Sequence, residues 1–473
     1  MARQPVTRLQ VSGYRFLMRR MEHALVSGDA RMLDDRLRAQ SLSFIAGCIL
    51  AVIAVAGCAI LAFLKPQGEL GSAPIVMART SGALYVRIGD TMHPVPNLAS
   101  ARLVAGTAAN PEIVGDAAIN RAKRGPLVGI PGAPSVIASP LTDDESDWAV
   151  CDKQTGPSQS TTTVMAAADG ADRLDPKQSV LVTPHPQGAV PTYLLYDGWR
   201  AKVDLRDAAV VRALRLDDVA PRPVSRALLD AIPEVPEITA PHIPGAGSPG
   251  PRSLAGFTVG TVVRITHAAA AEHYVVLADG VQRIGEVAAD LIRMAVPQRD
   301  HEIATVAPDA IGASPTVDVL PVGTFPHHAG ATIGAAGHPV LCARWEPGGP
   351  LGYANTAVLV GNSLPLDSGD TAATLAQADG DGPNIDAVYL PPGRSAYVRS
   401  VGITGDAGSG GPLYLMTDSG VLFGVHDEGA AEHLGLPSTP VPAPWPVLAL
   451  LPRGPDLSTQ SASVVRDSVA PPA

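Results

Sequence analysis

Hydrophobic and polar positions fall into three regimes along the chain. In VSGYRFLMRRMEHAL (11–25), Tyr14, Leu17, Met21 and Leu25 recur at helical spacing while Arg15, Arg19 and Glu22 fall on another side, the pattern of a short amphipathic helix. In LSFIAGCILAVIAVAGCAILAFL (42–64), 23 residues pass without a charge. At about 1.5 Å per residue that run spans roughly 34 Å, enough for a hydrocarbon core of about 30 Å. A secretory signal core is only about 7–15 residues and begins near the terminus, so the run predicts a transmembrane helix. Beyond it the apolar stretches are short and broken by Gly, Pro and Asp, which predicts strands and turns.

The third regime repeats a grammar. LYVRIGDTMHPVPNLASARLV (84–104), TYLLYDGWRAKVDLRDAAVVRAL (192–214), HYVVLADGVQRIGEVAADLIRM (273–294) and LYLMTDSGVLFGVHDEGAAEHLG (413–435) each open on Tyr with apolar neighbours, pass a Gly/Asp turn, and close in an Ala/Leu-rich stretch. Each therefore predicts a β-hairpin followed by a helix, with Tyr85, Tyr193, Tyr274 and Tyr414 in one slot. The intervals between these tyrosines are unequal, which excludes a tight solenoid. Proline-rich 221–251 reads as an extended connector.

The expected fold class is α+β: one N-terminal transmembrane helix, then an elongated exported portion of four hairpin/helix repeats around a central β-rich domain. Repeats are expected at 80–114, 188–233, 257–299 and 401–437. The central domain is expected from 115–187 and 300–400, with a Pro/Gly-rich connector at 234–256. The remaining parts are a cytoplasmic segment (1–41), the span (42–64), a juxtamembrane connector (65–79) and a C-terminal tail (438–473). Composition agrees, since 47 Gly, 45 Pro and only 17% charged residues suit loops and strands better than long helices.

Charge orients the span. Residues 1–41 carry a net +4 and the remainder a net −14, so the amino end is expected in the cytoplasm and the acidic bulk outside it. An acidic exported part also argues against a nucleic-acid surface. The stripe Tyr14, Leu17, Met21 and Leu25 reads as a docking face for a partner protein; the competing reading lays the helix on anionic membrane lipid through Arg15, Arg19 and Arg20. Cys48 and Cys58 lie within the span. Cys151 and Cys342 are the only two cysteines beyond it, so in an oxidising compartment they are expected to pair. Trp148 and Trp345 stand three residues outside them, an arrangement that suits two halves meeting at one core.

Candidate chemistry is thin. Ser409-Gly410-Gly411-Pro412 resembles the tail of a serine-protease nucleophile loop, but it introduces the fourth hairpin as small residues introduce the first. Asp406 is two residues too far from the serine, and no histidine sits in a suitable setting, so a turn is expected and no catalytic residue is assigned. His327, His328 and His338 fit no usual ligand spacing, and no metal site is expected. Asp143, Asp144, Glu145 and Asp147 lack the EF-hand pattern and read as a solvated acidic loop. No GxxxxGK[ST] loop occurs in the chain.

QVSGYRFLMRR (10–20), SGALYVRIGDTMHPVPNLASARLV (81–104), LVGIPGAP (127–134), WAVCD (148–152), DGVQRI (279–284) and APWPVLALLPRGPDLS (443–458) resemble the EccB family of type VII (ESX) secretion systems. The stretch 367–399 departs from that pattern. The resemblance implies a structural subunit of the inner membrane, with a cytoplasmic amino end, one span and a periplasmic body of four repeats around a disulfide-bearing domain. It further implies assembly with EccC, EccD and EccE, and a homodimer formed through the periplasmic part. Members are commonly labelled ATPases, so ATP as a cofactor and hydrolysis as an activity are implied by that label alone. A cell-wall-binding module is a third class, suggested only by the repeats.

Overall fold

The computed structural model describes residues 7–28, 36–64, 70–156, 159–167, 172–185, 191–267, 270–295, 302–348, 353–405 and 410–468. The chain divides into two compact units, residues 1–71 with 114–121, and residues 72–113 with 122–473.

In the first unit, helix α1 (Arg8–Ser27) starts at a capping box in which Thr7 and Gln10 satisfy each other's backbone N–H groups, and it ends at Gly28 in the left-handed conformation. Helix α2 (Arg36–Leu64) follows. Its stretch Leu42–Ile60 is long and apolar enough to cross a membrane and is wholly exposed on the isolated chain. A helix apolar all round with nothing packed on it is stable only in a nonpolar medium.

The second unit is mostly β. Each tyrosine-bearing segment is the antiparallel hairpin its pattern predicts: Leu84–Ile88 with Thr91–Val95, Thr192–Tyr196 with Trp199–Val203, Ala270–Leu277 with Gly280–Ile284, and Leu413–Thr417 with Leu422–Val425. The helices Leu98–Ala105, Ala208–Ala213, Glu286–Ala295 and Glu428–Leu434 follow. Three of them are opened by Asn97, Asp207 and Asp427, whose side chains accept from the backbone of the first turn. Each hairpin also has a leading strand that the sequence pattern missed: Ile75–Ala78, Gln178–Pro184, Val262–His267 and Arg394–Val401. In every case a short parallel strand extends the sheet: Lys123–Arg124, Glu234–Val235, Ala304–Thr305 and Val441–Pro444.

A seven-stranded sheet holds the strands in the order Asp172–Arg173, Asn355–Gly361, Val340–Glu346, Trp148–Gln154, Ser160–Ala166, Ala387–Tyr389, Ala373–Thr374. Its two faces feed different cores. Trp148, Val150, Leu341, Ala343 and Trp345 share a core with Val180, Val182 and Leu195 of the second hairpin's sheet and with Ala396, Val398 and Met416 of the fourth. Ala149, Cys151, Val340, Cys342 and Leu359 form a smaller cluster on the opposite face.

The second hairpin is fixed to this sheet through its turn. Asp197 (φ 45) and Gly198 (φ 79) are both left-handed, as a two-residue hairpin turn requires. A Cβ on Gly198 would lie 1.9 Å from the Thr356 carbonyl oxygen, so glycine is needed for the approach as well as for the torsion.

Candidate functional site

Cys151 and Cys342 lie directly opposite each other on antiparallel strands, their Cα atoms 4.0 Å apart, and form a disulfide. The close approach is that of a non-hydrogen-bonded cross-strand pair. Trp148 and Trp345 are likewise direct cross-strand partners, both fully buried. Cysteine and tryptophan are three residues apart and a strand alternates every residue, so they occupy opposite faces of the sheet. The indole pair joins the core shared with the hairpin sheets, and the disulfide closes the other face.

Buried polar groups tie the sheet to its surroundings. Asp152, 2% exposed, accepts from the Ser225 backbone at 2.6 Å, the Ser225 hydroxyl at 2.8 Å and the Thr162 hydroxyl at 2.9 Å. Burial pushes its carboxyl above the usual range, while these donors and Arg222 oppose the rise. Arg222, also buried, donates to the carbonyls of His338 and Pro339 at 2.7 and 2.6 Å. Asp386 accepts from the backbone of Thr162, Asp379 and Gly380. The Asp152 and Asp386 carboxylates and the Arg222 guanidinium are thus engaged by structural partners, which describes a positioning role.

The acidic loop is anchored instead of merely solvated. Glu145 accepts from Arg394 at 2.6 Å and from the Thr142 backbone at 2.9 Å. These bonds, the arginine's first, pull its carboxyl down to about 2. Asp147 pairs with Arg344.

The histidines do not gather. His328 Nδ1 is 2.8 Å from Glu286 Oε2, His327 lies beside it with ring centroids 6.5 Å apart, and the His338 carbonyl is held by Arg222. Among the described residues there is no group of three His, Cys, Asp or Glu side chains placed to hold a metal. Ser409 and Asp406 lie outside the described residues. On α1, Tyr14, Leu17, Met21 and Leu25 are all exposed. The largest aromatic exposure on the β unit is at Tyr353, Trp199 and Trp445, residues that hydrophobic patterning does not single out.

Buried carboxylate anchors, a cross-strand disulfide and an apolar helix long enough to cross a membrane mark a mostly β membrane protein. The family described as "Type VII secretion system ESX-1, transport TM domain B" matches residues 3–471, and the chain belongs to this EccB family. Among its relatives, the ESX-3 secretion system ATPase EccB3 of Mycolicibacterium smegmatis is 37% identical over 98% of this chain and 92% of its own length. The ESX-5 secretion system ATPase EccB5 of Mycobacterium tuberculosis is 35% identical over 98% and 94%. A chain of the intact ESX-5 inner membrane complex superposes with TM-score 0.74 at 32% identity, covering 100% of this chain and 98% of that one. A chain of the EccB3 dimer from the ESX-3 core complex gives TM-score 0.73 at 34% identity over 83% and 100%.

Proposed function

We propose that the chain is a structural subunit of a type VII (ESX) secretion complex in the inner membrane. Family membership along nearly the whole length carries this reading, and the relatives solved within an ESX-5 inner membrane complex and as an EccB3 dimer support it. In this reading α2 spans the membrane once, residues 1–41 face the cytoplasm, and the β unit stands in the periplasm. The four hairpin/helix segments are repeats around the disulfide-bearing sheet, and two copies dimerise through the periplasmic part. Tyr14, Leu17, Met21 and Leu25 of α1 dock on EccC, EccD or EccE, with lipid contacts from the neighbouring arginines.

The relatives are named ATPases, so an ATPase subunit is the second reading. It has no motif behind it: the sequence has no phosphate loop, and a periplasmic body has no evident ATP supply. Affinity purification in mild detergent tests both. EccC, EccD and EccE should co-elute, and the chain freed of them should not turn over ATP. Elution alone would overturn the scaffold reading; turnover removed by a point change in this chain would establish the other.

A further inference from the structure

The tyrosine slots of the hairpins share a second feature, an arginine. Arg200 lies 5.5 Å from the Tyr193 ring centroid and is ion-paired with Asp230 at 3.3 Å and Glu234 at 3.2 Å. Arg283 stands directly across the ladder from Tyr274, and both bind Glu272, at 3.0 and 2.8 Å. Arg124 lies 5.9 Å from the Tyr85 ring.

The fourth slot is built differently. Arg453 lies over two rings, 5.1 Å from Tyr414 and 5.0 Å from Trp445, whose centroids are 6.0 Å apart. Its backbone is clamped on both sides, since Leu422 N donates to the Pro452 carbonyl at 2.9 Å and Gly454 N to the Leu422 carbonyl at 3.0 Å. Arg453 is exposed, Trp445 is 42% exposed, and among the described residues the guanidinium makes no ion pair or hydrogen bond. Two rings hold the cation in place, and its N–H groups keep their capacity for a planar anion. Trp, Tyr and Arg in one cluster are also the residues that dominate protein interfaces.

We propose that Arg453, Trp445 and Tyr414 form a recognition site for the carboxylate of an acidic polypeptide segment supplied by another chain. In the second and third slots this carboxylate comes from the same chain, Asp230 and Glu234 for Arg200 and Glu272 for Arg283; the fourth takes it in trans. A lipid phosphate fits less well, because anionic membranes are bound by clusters of about four to eight basic residues. Here a single arginine stands in a portion of net charge −14. The site rests on the scaffold reading only for the presence of another chain.

The test places a photoreactive benzoylphenylalanine at Ala449, which is exposed and donates its N–H to the Trp445 carbonyl one turn away. The full chain is cross-linked in membranes beside a differently tagged copy, and adducts are read by mass spectrometry. The expected adduct is a peptide containing Asp or Glu, with the tags telling a second copy from a different subunit. Its yield should fall about tenfold in Arg453→Gln and about threefold in Arg453→Lys, which keeps charge but loses the bidentate fork. Adducts to lipid alone, to peptides without acids, yields unchanged in either variant, or no adduct would overturn the proposal. Should Arg453→Gln not form the Cys151–Cys342 disulfide, Arg453→Lys carries the comparison. Elution alone in detergent sinks the scaffold reading; co-elution without an Arg453-dependent adduct sinks only this site.

Discussion

Asp152 shows how a single side chain organises this protein. It is buried, and one carboxylate accepts three hydrogen bonds that join a central strand to Ser225 and Thr162. Asp152→Ala leaves those donors without their acceptor, and the expected loss is about 2–3 kcal/mol in denaturant unfolding. Asp152→Asn, which retains one acceptor, should lose less. Glu145 sets a pH dependence. Its carboxyl falls from an ordinary 4.5 to about 2 on folding, so its contribution is complete above about pH 4.5 and lost as pH falls toward 2. The difference in unfolding midpoint between wild type and Glu145→Gln should therefore shrink across that window, and a constant difference would contradict the Arg394 pairing. Neither residue was legible beforehand. The acidic run reads as solvated because Arg394 is far away in sequence, and Asp152 carries no local sign of burial.

At the scale of elements, the sequence pattern was informative where structure is local. Hairpin turns are set by neighbouring residues, so the Gly/Asp turns could be read directly. The leading strands could not: IVMA, QSVLVTP, VVRITH and RSAYVRSV share no residue signature, and the parallel strands are short segments chosen by distant partners. The pairing of Cys151 with Cys342 followed from counting cysteines, but the face each occupies required the strand. Closing a separation of 191 residues, the bond should stabilise by about 5 kcal/mol in the chain-entropy account. Cys151→Ala/Cys342→Ala should lower the unfolding midpoint accordingly, with reductant leaving the double variant unchanged. On α1 the exposed stripe makes a different demand. Met21→Asp should leave the unfolding of the β unit untouched while reducing co-purified partner about tenfold; undiminished co-purification would remove the docking role.

For the whole molecule, the proposed role requires the apolar helix to leave the basic amino-terminal residues in the cytoplasm and the acidic remainder outside it. The charge asymmetry and the uninterrupted run 42–64 carry that expectation, because a bilayer imposes a length and a polarity on anything that crosses it. Assembly was legible only through the α1 stripe and the family resemblance, since the β unit's partner surface carries no period.

The most direct test is thiol labelling in intact cells. With a membrane-impermeant maleimide added from outside, Cys151 and Cys342 should label only after reduction and mild unfolding, while Cys48 and Cys58 should stay unlabelled. If the two thiols are free and react only with reagent delivered to the cytoplasm, the body lies on the wrong side of the membrane and the scaffold reading is contradicted.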